Sequence, residues 1–138
     1  MAGPSVVLVV DMANVVGSRP DGWWRDRAGA ASRLLEALGP LVGASVPLAD
    51  GEPVRLERIV AVLEGQARAA GAGDRIGETP VEVRLAPADG DTTIVAVAVE
   101  LVRAGLTPLV VTADRGLRER LPAGVRFIGP GRLRDQLS

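Results

Sequence analysis

Residues 5–14, SVVLVVDMAN, decide how this chain is read. Val6 to Val10 form an unbroken apolar run rich in β-branched side chains. A run this short reads as a strand buried on both faces, the kind that sits inside a parallel sheet. It stops at Asp11, and Asn14 follows three positions later. The question is what a carboxylate and an amide hold at the end of a buried strand.

Working outward, ANVVGSRPDG (13–22) reads as a loop with Pro20 and Gly22 as breakers. A helix is predicted from about Trp23, where Trp24, Ala28, Ala31, Leu34, Leu35 and Leu38 recur at three- and four-residue spacing. Gly39-Pro40 ends or kinks it. Residues 43–53, GASVPLADGEP, read as a loop. In VRLERIVAVLEGQARAAG (54–71) the run IVAVL predicts a strand over about 57–63, ending at Glu64-Gly65, and then a short helix at about 66–70. A single helix from Val54 to Ala70 competes, but it would have to bury nearly every side around Ile59–Leu63. GAGDRIGETP (71–80) is a second loop, and VEVRL (81–85) alternates as a half-buried strand.

APADGD leads into a helix over about 91–104, with Ile94, Val95, Ala98, Leu101 and Val102 on one face. Asp91 or Thr92 begins it and Gly105 ends it. TPLVVT (107–112) is another buried strand, RGLRERL a short helix, VRFIG a last strand and GRLRDQL a last helical turn or two. No repeat or low-complexity tract interrupts this order. Strands alternating with helices predict an α/β three-layer sandwich around a mostly parallel sheet of four or five strands, in one domain spanning 1–138. Ligand sites in such sheets lie beyond the C-terminal ends of the strands.

Composition narrows the chemistry. There is no Cys, His, Lys or Tyr, so all 16 basic residues are Arg. That removes thiolate chemistry, the common zinc sites, the Ser-His-Asp arrangement, the P-loop lysine and the Schiff base. Catalysis would rest on Asp, Glu, Ser, Thr, Asn, Arg or the backbone, and carboxylates favour Mg²⁺ or Mn²⁺. A net charge of -1 argues against bulk nucleic-acid binding but leaves room for a local Arg patch. No apolar run is long enough to span a bilayer, and the start has neither a basic segment nor a cleavage site, so a soluble, cytoplasmic protein with no membrane partner is expected.

Four acids fall where the sheet rule points. Asp11 ends the first strand, Glu64 the second, Asp91 opens the helix after the third, and Asp114 follows the fourth. Singly, each has an ordinary role. Asp11 suits an Asx turn, Asp91 an N-cap, Glu64 a solvated turn, and Asp114 a cap for RGLRERL. Together at one edge they would repel and raise each other's pKa unless a cation lay between them.

The segments VVLVVDMANVVG, VAVLEG, GDTTIV and VVTADRGL resemble the PIN-like nuclease superfamily, and its NYN branch most closely, from Ser5 to about Leu121. The resemblance implies a PIN-like, Rossmann-like fold. It implies a ribonuclease hydrolysing RNA phosphodiester bonds with Mg²⁺ or Mn²⁺. By that pattern Asp11, Asp91 and Asp114 are metal ligands and Glu64 is a further ligand or orients the water. Asn14 holds a water or phosphate oxygen, and Thr112 fixes a carboxylate rotamer. The chain departs from the pattern at Thr92, where relatives often carry a second acid; Asp89 is the nearest substitute.

Arg115 and Arg118 are candidates to grip phosphates, with a solvated helix face as the alternative. In SRPDGWWRDR (18–27), Trp23, Trp24, Arg19, Arg25 and Arg27 suit stacking on unpaired bases. The competing reading packs Trp24 in the core and leaves Trp23 at the surface or at a homodimer contact. Two other functions compete: a non-catalytic RNA- or protein-binding module on a degenerate PIN-like fold, and a metal-dependent nucleotide phosphohydrolase. Nothing in the sequence names an antitoxin or other protein partner.

Overall fold

The computed structural model describes residues 4–18, 22–49, 52–65 and 80–137, leaving out the side chains of Trp23 and Ala49. The expected short helix at 66–70, most of the loop that follows, and Arg19 lie outside the described residues.

The opening run forms β1 (Ser5–Asp11), and residues Val7 to Val10 have no exposed surface. The chain then makes α1 (Met12–Val16), a short 3₁₀ turn at Trp23–Arg25, α2 (Arg27–Leu38) and a second 3₁₀ turn at Gly39–Leu41. β2 (Ser45–Ala49), β3 (Glu52–Leu63), β4 (Glu82–Leu85), α3 (Gly90–Arg103), β5 (Pro108–Val111), α4 (Arg115–Arg120), β6 (Arg126–Ile128) and α5 (Pro130–Arg134) follow.

The strands join one sheet in the order β2-β3-β1-β5-β6, with β4 also on β3. β1 is central, parallel to both β3 and β5. β6 extends the parallel set beside β5. β3 serves two partners on its outer side: β2 runs antiparallel to its first half, and β4 parallel to its last four residues, Val60 to Leu63. The described sheet therefore has six strands, one more than the upper expectation. The extra strand is β2, within 43–53, where a loop was expected. Pro47 argues against a central strand, but β2 lies at the sheet margin, where a missing N–H is tolerated.

β1 feeds apolar residues to both sides. Val6, Leu8 and Val10 pack with Leu34, Leu35 and Leu38 of α2 and with Leu133 of α5. Val7 and Val9 pack with Ile94, Val97 and Leu101 of α3 and Leu117 of α4. The helices thus flank both faces of the sheet, as expected for an α/β sandwich.

The register of β3 against β1 shifts once: Val6 faces Leu56 and Val7 faces Arg58, leaving Glu57 as a bulge. That extra residue puts Leu56, Ile59, Ala61 and Leu63 in the same core cluster although their spacing is uneven. The same uneven spacing makes the sequence resemble a helix. The observed strand removes the helix alternative for Val54–Leu63.

Three expectations are corrected by packing. The loop after β1 begins as α1, because Asp11 caps it by accepting from the Asn14 N–H. The buried face of α3 is Ile94, Val97, Ala98 and Leu101, whereas Val102 is exposed and Val95 half-buried. The N-cap of α3 is Asp89, neither Asp91 nor Thr92. At its other end Gly105, at φ +79°, lets its own N–H reach Val102 O and that of Leu106 reach Leu101 O, closing the last turn. Among the described residues no helix is long and apolar enough to cross a membrane.

Candidate functional site

β1 carries Asp11 to the C-terminal edge of the sheet and leaves it only 7% exposed. Both of its oxygens are engaged. Oδ1 accepts from the Asn14 N–H at 3.2 Å, and Oδ2 from the Thr112 hydroxyl at 3.0 Å. Thr112 follows β5 and is fully buried; its hydroxyl oxygen also accepts from the Asp114 N–H at 3.1 Å. Its own N–H donates to Ile128 O at 2.9 Å. Asn14 closes the arrangement, its Oδ1 accepting from the Ala113 N–H at 2.8 Å. Side chains thus clasp the ends of β1 and β5 together at the point where Asp11 emerges.

Glu64 follows β3, and its Oε2 accepts from the N–H of Gly90, the first residue of α3. A Cβ on Gly90 would stand 3.0 Å from that oxygen, so glycine gives Glu64 its room. Asp91, in the first turn of α3, is half-buried, and its carboxylate makes no hydrogen bond among the described residues. Asp114 caps α4, accepting from the Leu117 N–H at 3.1 Å.

The charges interact. Burial is the main cause that lifts the Asp11 pKa from 3.8 to about 6. The Thr112 and Asn14 hydrogen bonds pull it down, while Asp91 and Glu64 push it up. The Asp91 carboxyl is raised by burial first, then by Asp114, Asp89 and Glu64, with Arg120 opposing. Asp89 is lowered by the hydrogen bonds from Thr92, whose N–H and hydroxyl donate to it at 2.8 and 3.2 Å. The expected acids therefore share one electrostatic neighbourhood. Among the described residues, however, no three of them form a group set to hold a metal ion.

Neighbouring residues depart from their expected parts. The Asn14 side-chain oxygen is spent on Ala113, so it fixes the backbone of the clasp. Arg118 turns inward: Nη2 donates to Thr112 O at 2.7 Å and the guanidinium lies 4.2 Å from the Phe127 ring centre. Its Nε is buried with no acceptor among the described residues. Arg118 is thus committed to the end of β5, and Arg115 is the exposed arginine of the pair. Trp24 is 52% exposed, which overturns its packing in the core, and the Arg25 guanidinium stands 6.0 Å from its ring centre, the outer limit for attraction to the ring face. The side chain of Trp23 lies outside the described residues.

Sequence reasoning missed Arg120, which donates from Nη2 to the Thr92 hydroxyl at 3.2 Å and brings positive charge toward Asp91. It lies 28 residues from Thr92, and only the packing of α4 on α3 joins them.

No protein-family model and no curated protein matches the chain. Among solved structures it is similar to Rae1 (YacP) from Bacillus subtilis, with a TM-score of 0.67 and 17% sequence identity. That match covers 95% of this chain and 74% of the other. At this identity the likeness shows the fold alone, an α/β architecture with a mostly parallel sheet flanked by helices.

Proposed function

We propose that this chain is a divalent-cation-dependent ribonuclease that hydrolyses RNA phosphodiester bonds at the edge carrying Asp11, Glu64, Asp91 and Asp114. The observation that supports it most is uncompensated negative charge. The buried Asp11 carboxyl, lifted to about 6, is pushed up by the charges of Asp91 and Glu64, and Asp91 is itself raised by three acids against Arg120. Holding such charge together costs stability unless a cation relieves it.

The donor set fits a hard cation, since every candidate ligand is a carboxylate oxygen. Asp11, Asp91 and Asp114 would hold Mg²⁺ or Mn²⁺, which when bound would supply Lewis acidity toward a phosphoryl oxygen. The residues themselves do the positioning. Thr112 and the Asn14 backbone fix both oxygens of Asp11. Glu64 keeps one oxygen on the Gly90 N–H, and its other oxygen would orient an attacking water and accept its proton. Attack forms a new P–O bond as the bond to the leaving sugar oxygen breaks. Arg115, exposed at the start of α4, is the candidate to hold a substrate phosphate.

A second reading, a nucleic-acid-binding module without catalysis, is favoured by one observation: no three described acids are set around a common ion. Thermal melting during Mn²⁺ titration separates the two. The nuclease reading expects stabilisation that grows with free metal and is lost in Asp11→Asn. A flat response at millimolar Mn²⁺ sinks it. Single-stranded RNA, single-stranded DNA and nucleoside triphosphates, incubated side by side with metal and wild-type protein, then identify the substrate; turnover of triphosphates alone would make the protein a nucleotide phosphohydrolase instead.

A further inference from the structure

Beside β6 lies a groove of about 620 Å³, within the range of ligand sites, whose composition the carboxylate cluster does not explain. Arg118, Arg126 and Arg132 line it together with Phe127, and no carboxylate does. The lining of the groove is thus locally basic on a chain whose net charge is -1. Phe127 is the chain's one phenylalanine, yet it is 42% exposed while the core is filled by aliphatic side chains. An exposed ring on the last strand of a sheet costs burial free energy, and here Arg118 is stacked against it at 4.2 Å. Arg132 reaches Leu48 O through Nη1 at 3.4 Å, a long contact that leaves its other donors available. The groove also adjoins the acids: Arg118 lines it and donates to Thr112 O, while the Thr112 hydroxyl donates to Asp11.

We propose that this groove binds single-stranded nucleic acid, as the seat of the strand that the proposed nuclease would cut. Phe127 stacks on an unpaired base, and Arg126 and Arg132 pair with flanking phosphates. Arg118 is a positioning residue that backs the ring and ties it to the end of β5. A duplex is disfavoured, because a ring face meets a base face only when the base is unpaired and splayed out. The strand would then run from the acids toward β6.

The test is fluorescence anisotropy of labelled oligouridine and oligodeoxythymidine in EDTA, so that binding is read without cleavage. Wild type should bind at low salt and weaken as salt rises. Phe127→Leu should weaken binding by roughly 5- to 100-fold, the range for losing one stacked base. The double variant Arg126→Gln/Arg132→Gln should flatten the slope of log K against log salt by about 0.7 per lost phosphate contact. Arg103→Gln, exposed at the far end of α3, should leave binding unchanged. Circular dichroism melts check folding; if Phe127→Leu fails to fold, the exposed arginines carry the test. No binding by wild type overturns the proposal, as does unchanged binding in both groove variants, which would leave the groove to a protein. Preference between the oligouridine and oligodeoxythymidine arms tells RNA from DNA. Groove binding without cleavage in Mn²⁺ would remove the nuclease reading and keep this one, and cleavage with groove variants indifferent would do the reverse.

Discussion

Asp11 serves two masters, and pH separates them. As N-cap it is built into the fold, but burial raises its pKa from 3.8 to about 6. Below the lower value the carboxyl is protonated in both folded and unfolded chains and costs nothing. Between the two values the unfolded chain loses its proton first, so stability falls as pH rises, and the full penalty holds above the upper value. That penalty is on the order of 2–3 kcal/mol by linkage. Asp11→Asn keeps an acceptor for the Asn14 N–H and removes the charge. It should melt higher than wild type at pH 7 and gain little at pH 4, as differential scanning calorimetry in metal-free buffer would measure. An equal gain at both pH values would mean that burial of the charge is not the cause. Much of this residue was legible in the sequence, because an apolar run that halts at a carboxylate marks a strand end. Its cap role was legible too, because an acid just past a strand suits an Asx turn, and Asp11 caps α1. Asn14 was less legible: that its oxygen would hold Ala113, 99 residues away, depends on which strands are neighbours.

The elements show why β3 was hard to read. Period-two alternation breaks at Glu57, and a strand with one bulge reads like half a helix. The structure allows a sharp check. Deleting Glu57 would restore a regular ladder, with Leu56 and Arg58 still opposite Val6 and Val7, and every apolar residue kept on its face. Deleting Val60 instead would slip Ala61 and Leu63 out of the helix α2 core. The Glu57 deletion should therefore fold, losing no more than about 3 kcal/mol in a urea melt, while the Val60 deletion should not fold cooperatively. Equal damage from both would show that the bulge has a role beyond register. β2 was hidden for a different reason, since Pro47 lies within it and Gly43 and Gly51 flank it in the sequence, and the margin of the sheet forgives the proline. In α3 the periodic apolar residues exceed what one face can bury, so Val97 could be told from Val102 only by the packed sheet.

Across the whole molecule, one edge gathers the acids and the neighbouring edge strand gathers arginines. The first was readable because each acid ends or opens an element; the second was not, because Arg118, Phe127 and Arg132 belong to three successive elements with no common motif. The clasp between β1 and β5 has one more consequence. The amide protons of Ala113 and Asp114 stand outside any strand or helix, yet each is held by a side chain rather than by water alone. The Ala113 proton bonds across to Asn14 and is freed when the ends of two adjacent strands part, whereas the Asp114 proton is freed when its local bond to the Thr112 hydroxyl opens. The Ala113 proton should exchange on the timescale of the strand interiors, and the Asp114 proton no more slowly than that. Rapid exchange at Ala113 would mean that the clasp stands open in solution. Slow exchange would make that proton a resident clock for the site, readable by NMR with no substrate present.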